Sequence, residues 1–211
     1  WELLLYTLMG MLAALAAVGF SRLLYFSEDM WRLVRVPEPT KPILGGILLG
    51  VLGIFSFQVD GFPRVFGVGY DTIESSLFSQ LTLQVTFGLL LLKLLATTLT
   101  LGSGGSGGIF APSLFMGAML GGTFGHMAHS MFPETVAPSG AYALVGMAAF
   151  FGGVAHAPIT AILILFEMTG DYQIILPLML ATVVSTIVSR NVSRDSIYTL
   201  KLKRRGVVLS E

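Results

Sequence analysis

The feature that most constrains this chain is a run of glycine and serine between two strongly apolar stretches. Residues 102–108 read GSGGSGG, and IFAP follows directly at 109–112. Lipid cannot satisfy backbone hydrogen bonds, so irregular backbone at membrane depth is tolerated only inside protein or along a water-filled cavity. The sequence therefore predicts that residues 102–112 form a loop that lines the path of an ion or a solute.

A helical pattern begins directly after this run. Pro112 falls in the expected first turn, where the missing N–H of proline costs nothing. The first N–H groups of a helix have no intrahelical acceptor, and they carry the positive end of the helix dipole. The free N–H groups of Gly108, Ile109, Phe110 and Ala111 are therefore expected to face the glycine run. A small anion is the ligand that such donors favour.

Composition places the chain in a membrane. Hydrophobic residues make up 54% of the 211 residues, charged residues make up 11%, and the mean hydropathy is +0.82. A soluble domain has about 25% charged residues, so a water-soluble fold is excluded. We expect membrane lipid around the protein, no enzymatic activity and no nucleic acid partner. The absence of cysteine removes disulfides and thiol metal sites.

The basic residues are unevenly distributed, although the formal net charge is zero. Five of the twelve Lys and Arg residues lie in the last eighteen positions, namely Arg194, Lys201, Lys203, Arg204 and Arg205. Basic segments next to membrane helices stay on the cytoplasmic side. We therefore expect a multi-pass integral membrane protein whose C-terminal end is cytoplasmic. The chain opens on Trp1 directly into an apolar helix, so we expect further sequence upstream.

The apolar blocks predict an all-α protein with helices of uneven length. The longer blocks, judged against the about 20 residues that a span needs, are 1–26, 42–57, 83–101 and 109–132, and a short helix is expected at 71–80. Three later blocks are below a comfortable span, at 141–151, 158–168 and 174–189. Gly152-Gly153 and His156-Ala157-Pro158 are expected to break the first two of these. Short, interrupted segments are typical of transporters with broken helices and midplane sites.

Five motifs follow one another along the chain, GGSGGIFAP at 104–112, GMAAF at 146–150, HAPITA at 156–161, EMTGDY at 167–172 and DSIYT at 195–199. In this order they resemble the CLC family of chloride channels and proton-coupled chloride transporters. The resemblance covers nearly the whole chain but only the second half of the family's membrane domain. It implies an inverted-repeat helical fold in which residues 1–211 supply the second repeat and the final helix. It also implies a homodimer with a separate anion pore in each subunit.

The resemblance further implies an anion site. Gly108, Ile109 and Phe110 match the family's anion-coordinating segment, in which the N–H groups of Ile109 and Phe110 would face a central chloride. Tyr198 matches the family's pore tyrosine, although an aromatic residue near a basic cluster can also be a simple interface residue. A neutral phenol donates its O–H to an anion without trapping it. Partial charges suit an ion that must also leave.

Other residues are assigned to the framework of this site. The loop structure is assigned to Gly104, Gly105, Ser106, Gly107 and Pro112. Residues 195–211 are expected to form the last helix and the start of a cytoplasmic tail, and the helix cap is expected at Ser193, Asp195 or Ser196. Asp195 is assigned to capping alone, because its charge would repel chloride. In the family, the helices that match residues 157–168 and 174–189 meet their copies at the dimer axis. The resemblance therefore implies that Ile164 and Ile175 lie in the dimer interface.

Several family elements match no position in this sequence. The gating glutamate, the serine segment that completes the chloride site and the internal proton glutamate all belong to the first half of the membrane domain. That first half is therefore an expected partner, together with chloride and, in the transporters, protons. The choice between a passive channel and a chloride/proton antiporter stays open. In the family, a pair of regulatory CBS modules often follows the last helix.

Two other functions fit the same composition. One is a non-conducting helical membrane module whose glycines serve only close helix contact, and the other is a transporter of another small anion, such as a carboxylate or phosphate. Sites for such anions usually recruit Arg or Lys, yet neither occurs between Thr100 and Ser189. Chloride or a similar monovalent anion is therefore the favoured ion, and no cofactor is expected.

Some residues have an ordinary interpretation beside a functional one. The glycine run alone would fit a flexible linker, but the motifs around it argue against that. Lys93 is an intramembrane cation that is either functional or, in the ordinary interpretation, snorkelling or locally paired. His126 and His129 lie three apart without a nearby third ligand, so no metal is expected. Glu167 and Asp171 flank a helix end, where capping is favoured over proton transfer.

Overall fold

The computed structural model describes residues 2–61, 64–133, 135–170, 172–204 and 206–207. Within these ranges it has nine α-helices, one short 3-10 turn and no strand, which confirms the all-α prediction. The helices are α1 Glu2–Leu33, α2 Lys41–Asp60, α3 Tyr70–Leu77, α4 Leu83–Gly102, α5 Phe110–Met131, α6 Ser139–Ala155, α7 Pro158–Thr169, α8 Ile175–Val192 and α9 Ile197–Arg204. Predictions that involve Trp1, Asp171, Arg205 and residues 208–211 lie outside the described residues.

Four segments of the described chain are long and apolar enough to cross a membrane. They are Glu2–Leu33, Glu38–Phe57, Leu83–Gly102 and Ile175–Arg204. A helix of 20 residues is about 30 Å long, which matches the hydrocarbon core of a bilayer. The expectation that the block at 174–189 falls short of a span is wrong, because α8 continues to Val192 and the apolar segment that contains it, Ile175–Arg204, is long enough to cross a membrane.

The core of the fold is a close contact between α5 and α6. A Cβ on Gly117 of α5 would lie 2.6 Å from the carbonyl oxygen of Gly146 on α6, so neither helix tolerates a side chain there. Small residues let two helix backbones approach closely inside a membrane. Nearly all of α6 is buried, and α1, α5, α7 and α8 surround it. This central helix holds the beginning of α5 in place.

The predicted break at Gly152-Gly153 is wrong, since α6 runs through both glycines to Ala155. A Cβ on either glycine would lie 2.7 Å from a side chain of α8, so these glycines serve close packing. The predicted break at 156–158 is confirmed. His156 ends α6 with a left-handed φ of 57°, and Pro158 begins α7.

Candidate anion site

The glycine loop begins as the C-terminal cap of α4. Gly104 has a φ of 87°, its N–H donates to the Leu101 carbonyl at 3.2 Å, and the Gly105 N–H donates to the Thr100 carbonyl at 2.9 Å. This pair of bonds is a Schellman motif, which needs a left-handed residue that glycine adopts without strain. A Cβ on Gly105 would lie 2.7 Å from the Thr100 oxygen. The N–H groups of both glycines are therefore already used in ending the helix.

The following residues leave their backbone donors free. Among the residues that the structure describes, the N–H groups of residues 106–111 have no hydrogen-bond acceptor, and the next N–H, of Ser113, donates to the Ile109 carbonyl at 3.0 Å. Helix α5 begins at Phe110 with Pro112 in its first turn, as the sequence predicts. Six consecutive free donors thus lie at the positive end of a helix, which is an arrangement suited to an anion.

The start of α5 is held by aromatic packing. The rings of Phe110 and Phe151 of α6 meet edge to face, with 5.0 Å between their centroids and 86° between their planes. Edge-to-face pairs are a favoured arrangement of aromatic rings. This ring contact holds the backbone of Phe110, and with it the start of α5, beside the buried central helix α6.

One side of the loop borders a cavity of about 340 Å³, which Ser106, Gly107 and Gly108 line together with part of α4. Lys93 of α4 lies at its wall and is only 3% exposed. The Lys93 Nζ donates to the carbonyls of Val65 at 2.9 Å and Gly67 at 2.7 Å. It also lies 4.7 Å from the centroid of the Phe115 ring. Of the two interpretations of Lys93, the structure supports local pairing.

The other side of the loop faces α1 and α9. Ile109 lines a small cavity of about 40 Å³ together with Tyr25 and Glu28 of α1 and Lys201 of α9. Lys201 follows Tyr198 by three residues, so the two side chains share a face of the helix. The structure thus brings the helix of Tyr198 next to the start of α5. Within the described residues it records no hydrogen bond or ring contact between Tyr198, which is 44% exposed, and Ile109.

Of the three residues predicted to cap α9, only Ser196 does so. The Ser196 Oγ accepts a hydrogen bond from the Thr199 N–H at 3.2 Å. The assignment of Asp195 to capping is wrong, because Asp195 lies one position too early and pairs instead with the Nζ of Lys203 at 2.8 Å. The Ser193 hydroxyl donates to the Asp195 carbonyl at 3.1 Å rather than to the helix. Ser196 therefore sets the direction of the helix that carries Tyr198.

Sequence reasoning missed the residues that join α9 to the rest of the site. The Tyr25 hydroxyl donates to the Ile197 carbonyl, a pair separated by 172 positions. No local pattern could have linked them. Lys201 did carry a signal, since it lies one helical turn after Tyr198. It places a basic side chain beside Ile109, although no Lys or Arg occurs between Thr100 and Ser189 in the sequence.

The remaining candidates lie away from this site. His129 Nδ1 lies 3.3 Å from the carbonyl of Val136. In the described part of the chain, no three His, Asp or Glu side chains form a group that could hold a metal ion. Glu167 is exposed near the end of α7. Its predicted partner in capping, Asp171, lies outside the described residues, so that capping role stays a prediction.

Residues 1–190 match the family described as voltage gated chloride channel. The chain is 34% identical over 204 residues to a Ralstonia nicotianae protein named putative chloride channel protein ClcB-like, covering 97% of this chain and 46% of that protein. It is 34% identical over 189 residues to the Escherichia coli protein named voltage-gated ClC-type chloride channel ClcB, covering 90% and 44%. A crystal structure of a slow cyanobacterial Cl⁻/H⁺ antiporter superposes with a TM-score of 0.83 at 29% identity, covering 97% and 47%. The chain thus spans about half the length of these relatives.

Proposed function

Because the chain belongs to the voltage gated chloride channel family, the CLC family, we propose that it forms one half of a chloride path across a membrane. The family consists of channels and transporters rather than enzymes. With its apolar helices the chain is an integral membrane protein. The observation that carries the proposal is the series of six free backbone N–H groups at residues 106–111, which follows an apolar helix and its glycine cap.

The chemistry of this series favours a small monovalent anion. Backbone N–H groups carry partial charges, so they can replace part of an ion's hydration shell and still release the ion. Lys201 adds positive potential beside Ile109, and Glu28 in the same small cavity offsets part of it. The hydroxyl of Tyr198, on the face of α9 that Lys201 shares, would complete the donors as the family resemblance implies. Among the described residues that line the two cavities beside the loop there is no arginine, so a doubly charged phosphate would lack bidentate pairing.

The rest of the path is proposed to come from the part of the relatives' length that this chain does not span. We call this chain joined to that part the complete membrane domain. Relatives carry the names of both transport modes, channel for the Escherichia coli protein and antiporter for the cyanobacterial one. The proposal concerns the anion path that either mode requires. By the positive-inside rule, the basic end of α9 is proposed to face the cytoplasm.

A halide experiment tests the site directly. Crystals of the complete membrane domain are soaked in bromide, and anomalous density locates the ion. We expect a peak within hydrogen-bond distance of the N–H groups of Ile109 and Phe110 and of the Tyr198 hydroxyl. A peak that lies instead against Lys93, with none near Ile109, would overturn the proposal.

Substitution of Tyr198 tests the same site in solution. Tyr198→Phe removes one donor to a desolvated ion, so chloride binding should weaken by about 1.5–3 kcal/mol at most, the value of a hydrogen bond to a charged group. Isothermal calorimetry on the complete membrane domain measures it. Tyr172→Phe, at an exposed position, is the matched control and should leave the affinity unchanged. An unchanged affinity in Tyr198→Ala would remove Tyr198 from the site.

A homodimer through α7 and α8 is also proposed. Both helices carry outward apolar stripes, with Ile159 and Leu163 on α7 and Leu176, Met179, Val183 and Ile187 on α8. The two dimer-interface residues predicted from the sequence do not lie on these stripes, because Ile164 packs against the core and Ile175 is half-buried. Association in lipid rests on van der Waals fit, so a bulky residue on a stripe should separate the subunits.

Cross-linking in detergent measures this effect. Leu163→Trp and Ile187→Trp are expected to give monomers that retain chloride binding, since both side chains point away from the fold. A tryptophan scan along both stripes that never disturbs the dimer would reject this interface.

A further inference from the structure

We propose that Tyr25 is a positioning residue for the anion site. Tyr25 holds the start of α9, and with it Tyr198, beside the N-terminus of α5. The inference rests on the proposed function, because it gives Tyr25 a role only through the hydroxyl of Tyr198. Tyr25 lies on α1 and is 3% exposed, so its contacts are inside the protein.

The hydroxyl of Tyr25 acts on α9 at the residue next to Tyr198. It donates a hydrogen bond to the carbonyl of Ile197, which is the first residue of α9 and is itself buried. A carbonyl oxygen has two lone pairs, so it can accept this bond and the usual helical bond together. The Tyr25 hydroxyl therefore fixes the backbone from which Tyr198 extends.

The same side chain also borders the other donor group. Tyr25 and Ile109 line one small cavity at the start of α5. Tyr25 thus lies between the two sets of donors, with its hydroxyl on α9 and its side chain beside the residue that provides a free N–H. Among the described residues, no other side chain both lines this cavity and donates a hydrogen bond to α9.

A charged pair holds the far end of α9 to the same helix. The guanidinium of Arg204 donates to both carboxylate oxygens of Asp29, at 2.8 and 3.1 Å. It also lies 4.6 Å from the centroid of the Tyr25 ring. Bidentate pairing and stacking on an aromatic ring both favour arginine over lysine. Since Asp29 follows Tyr25 by one helical turn, α1 holds α9 at Ile197 and at Arg204 along one face.

Helix α9 needs such support because it has only eight residues. Isolated helices of this length are unstable, because nucleation is unfavourable and few bonds follow it. A donor that is already held in place binds an ion without a further cost of ordering. The contacts of Tyr25 therefore hold the backbone of α9, from which Tyr198 extends, beside the start of α5.

The test is a double-mutant cycle in the complete membrane domain, with chloride affinity measured by calorimetry. Tyr25→Phe removes only the hydroxyl, and we expect the chloride Kd to rise about two- to tenfold. In the Tyr198→Phe background the same change should leave the Kd unaltered, because its effect passes through the Tyr198 hydroxyl. Tyr6→Phe is the matched control, as Tyr6 is a buried tyrosine at the other end of α1, and no change is expected.

The charged pair provides a second measurement, in which the double exchange keeps the net charge of the unaltered protein. Asp29→Arg or Arg204→Asp alone should weaken chloride binding, and the double exchange should restore the Kd to within about twofold of the wild-type value.

The outcomes separate this inference from the proposed function. If the unaltered domain binds no chloride, the proposed function fails and the inference with it. If Tyr198→Phe has no effect, Tyr198 is not part of the site and the inference is overturned, while the backbone donors of residues 106–111 still carry the proposed function. If Tyr198→Phe weakens binding and Tyr25→Phe does not, only the inference is overturned. Equal weakening by Tyr25→Phe in both backgrounds would also overturn it, because Tyr25 would then act on the fold in general.

Discussion

Glycine serves opposite purposes in two regions of this chain, the contact between α5 and α6 and the loop between α4 and α5. At the contact, the missing side chain lets two helices touch, and a Cβ on Gly117 would lie 2.6 Å from the Gly146 oxygen. At Gly108 in the loop the missing side chain leaves the backbone open, and nothing lies within 4 Å of a Cβ built there.

The two regions differ in where their backbone hydrogen bonds go. Gly117 and Gly146 lie inside helices, where N–H groups bond to the preceding turn. The N–H groups of residues 106–111 have no acceptor in the described chain. Glycine-rich sequence in a membrane protein therefore indicates a binding site only where the helical bonding is interrupted. A module that only packs helices explains the first region but not the second.

The comparison of the two glycine regions predicts the largest effect on chloride efflux when residues 1–211 are expressed without the rest of the membrane domain. Each unsatisfied backbone group in lipid costs several kcal/mol, and several together exceed the stability of a typical domain, about 5–15 kcal/mol. Residues 1–211 reconstituted in liposomes should therefore give no chloride efflux above empty vesicles, as a chloride electrode measures it. The complete membrane domain, reconstituted in parallel, is the control. Robust and selective efflux from the chain alone would show that the path lies elsewhere.

A second prediction separates the role of the backbone donors from that of Lys93, the buried cation at the wall of the cavity beside the loop. Lys93→Met leaves the carbonyls of Val65 and Gly67 without their donor, so the free energy of unfolding should fall by about 2–4 kcal/mol. Chloride affinity should stay unchanged, because the loop donors are intact. Chemical denaturation in detergent and calorimetry measure the two quantities. A tenfold loss of affinity would mean that a side-chain charge, and not the loop backbone, holds the ion.

A third prediction concerns the packed glycines. Gly117→Ala forces two helix backbones apart, and overpacking of this kind lowers the free energy of unfolding by about 1–3 kcal/mol. Gly88→Ala on α4 is the control, since no atom lies within 4 Å of its Cβ. There the better helix former should leave the protein unchanged or up to about 1 kcal/mol more stable. Equal destabilisation by both changes would remove the distinction between packed and open glycines.

The helix boundaries that nearby residues determine were the features predicted correctly from the sequence. The start of α5 follows from Pro112, and the end of α4 follows from the glycine that its Schellman motif needs at residue 104. Both signals lie within a few residues of the boundary that they set. The same holds for the break at His156 and Pro158. The framework of the loop was therefore predictable from the sequence.

Two features that the sequence did not predict depend on contacts between distant residues. Gly152 and Gly153 suggested a break, but α8 packs on them and the helix continues, because tertiary packing overrides intrinsic propensity. The bond from Tyr25 to Ile197 joins residues 172 positions apart, so no local pattern marks it. The helix of Tyr198 was predictable, whereas its attachment to α1 was not.

The smallest expected effect comes from a comparison of two glycines within the loop, Gly108 and Gly104. Gly108→Ala adds a methyl group in open space, without a positive φ, so the free energy of unfolding should change by less than about 0.5 kcal/mol. Gly104→Ala is the matched variant only four residues away. Its φ of 87° should make an added Cβ cost about 1–2 kcal/mol. Denaturation of the complete membrane domain without chloride measures both. If Gly108→Ala destabilises the protein as much as Gly117→Ala does, protein rather than an ion path fills the space beside Gly108, and the two glycine regions serve one purpose.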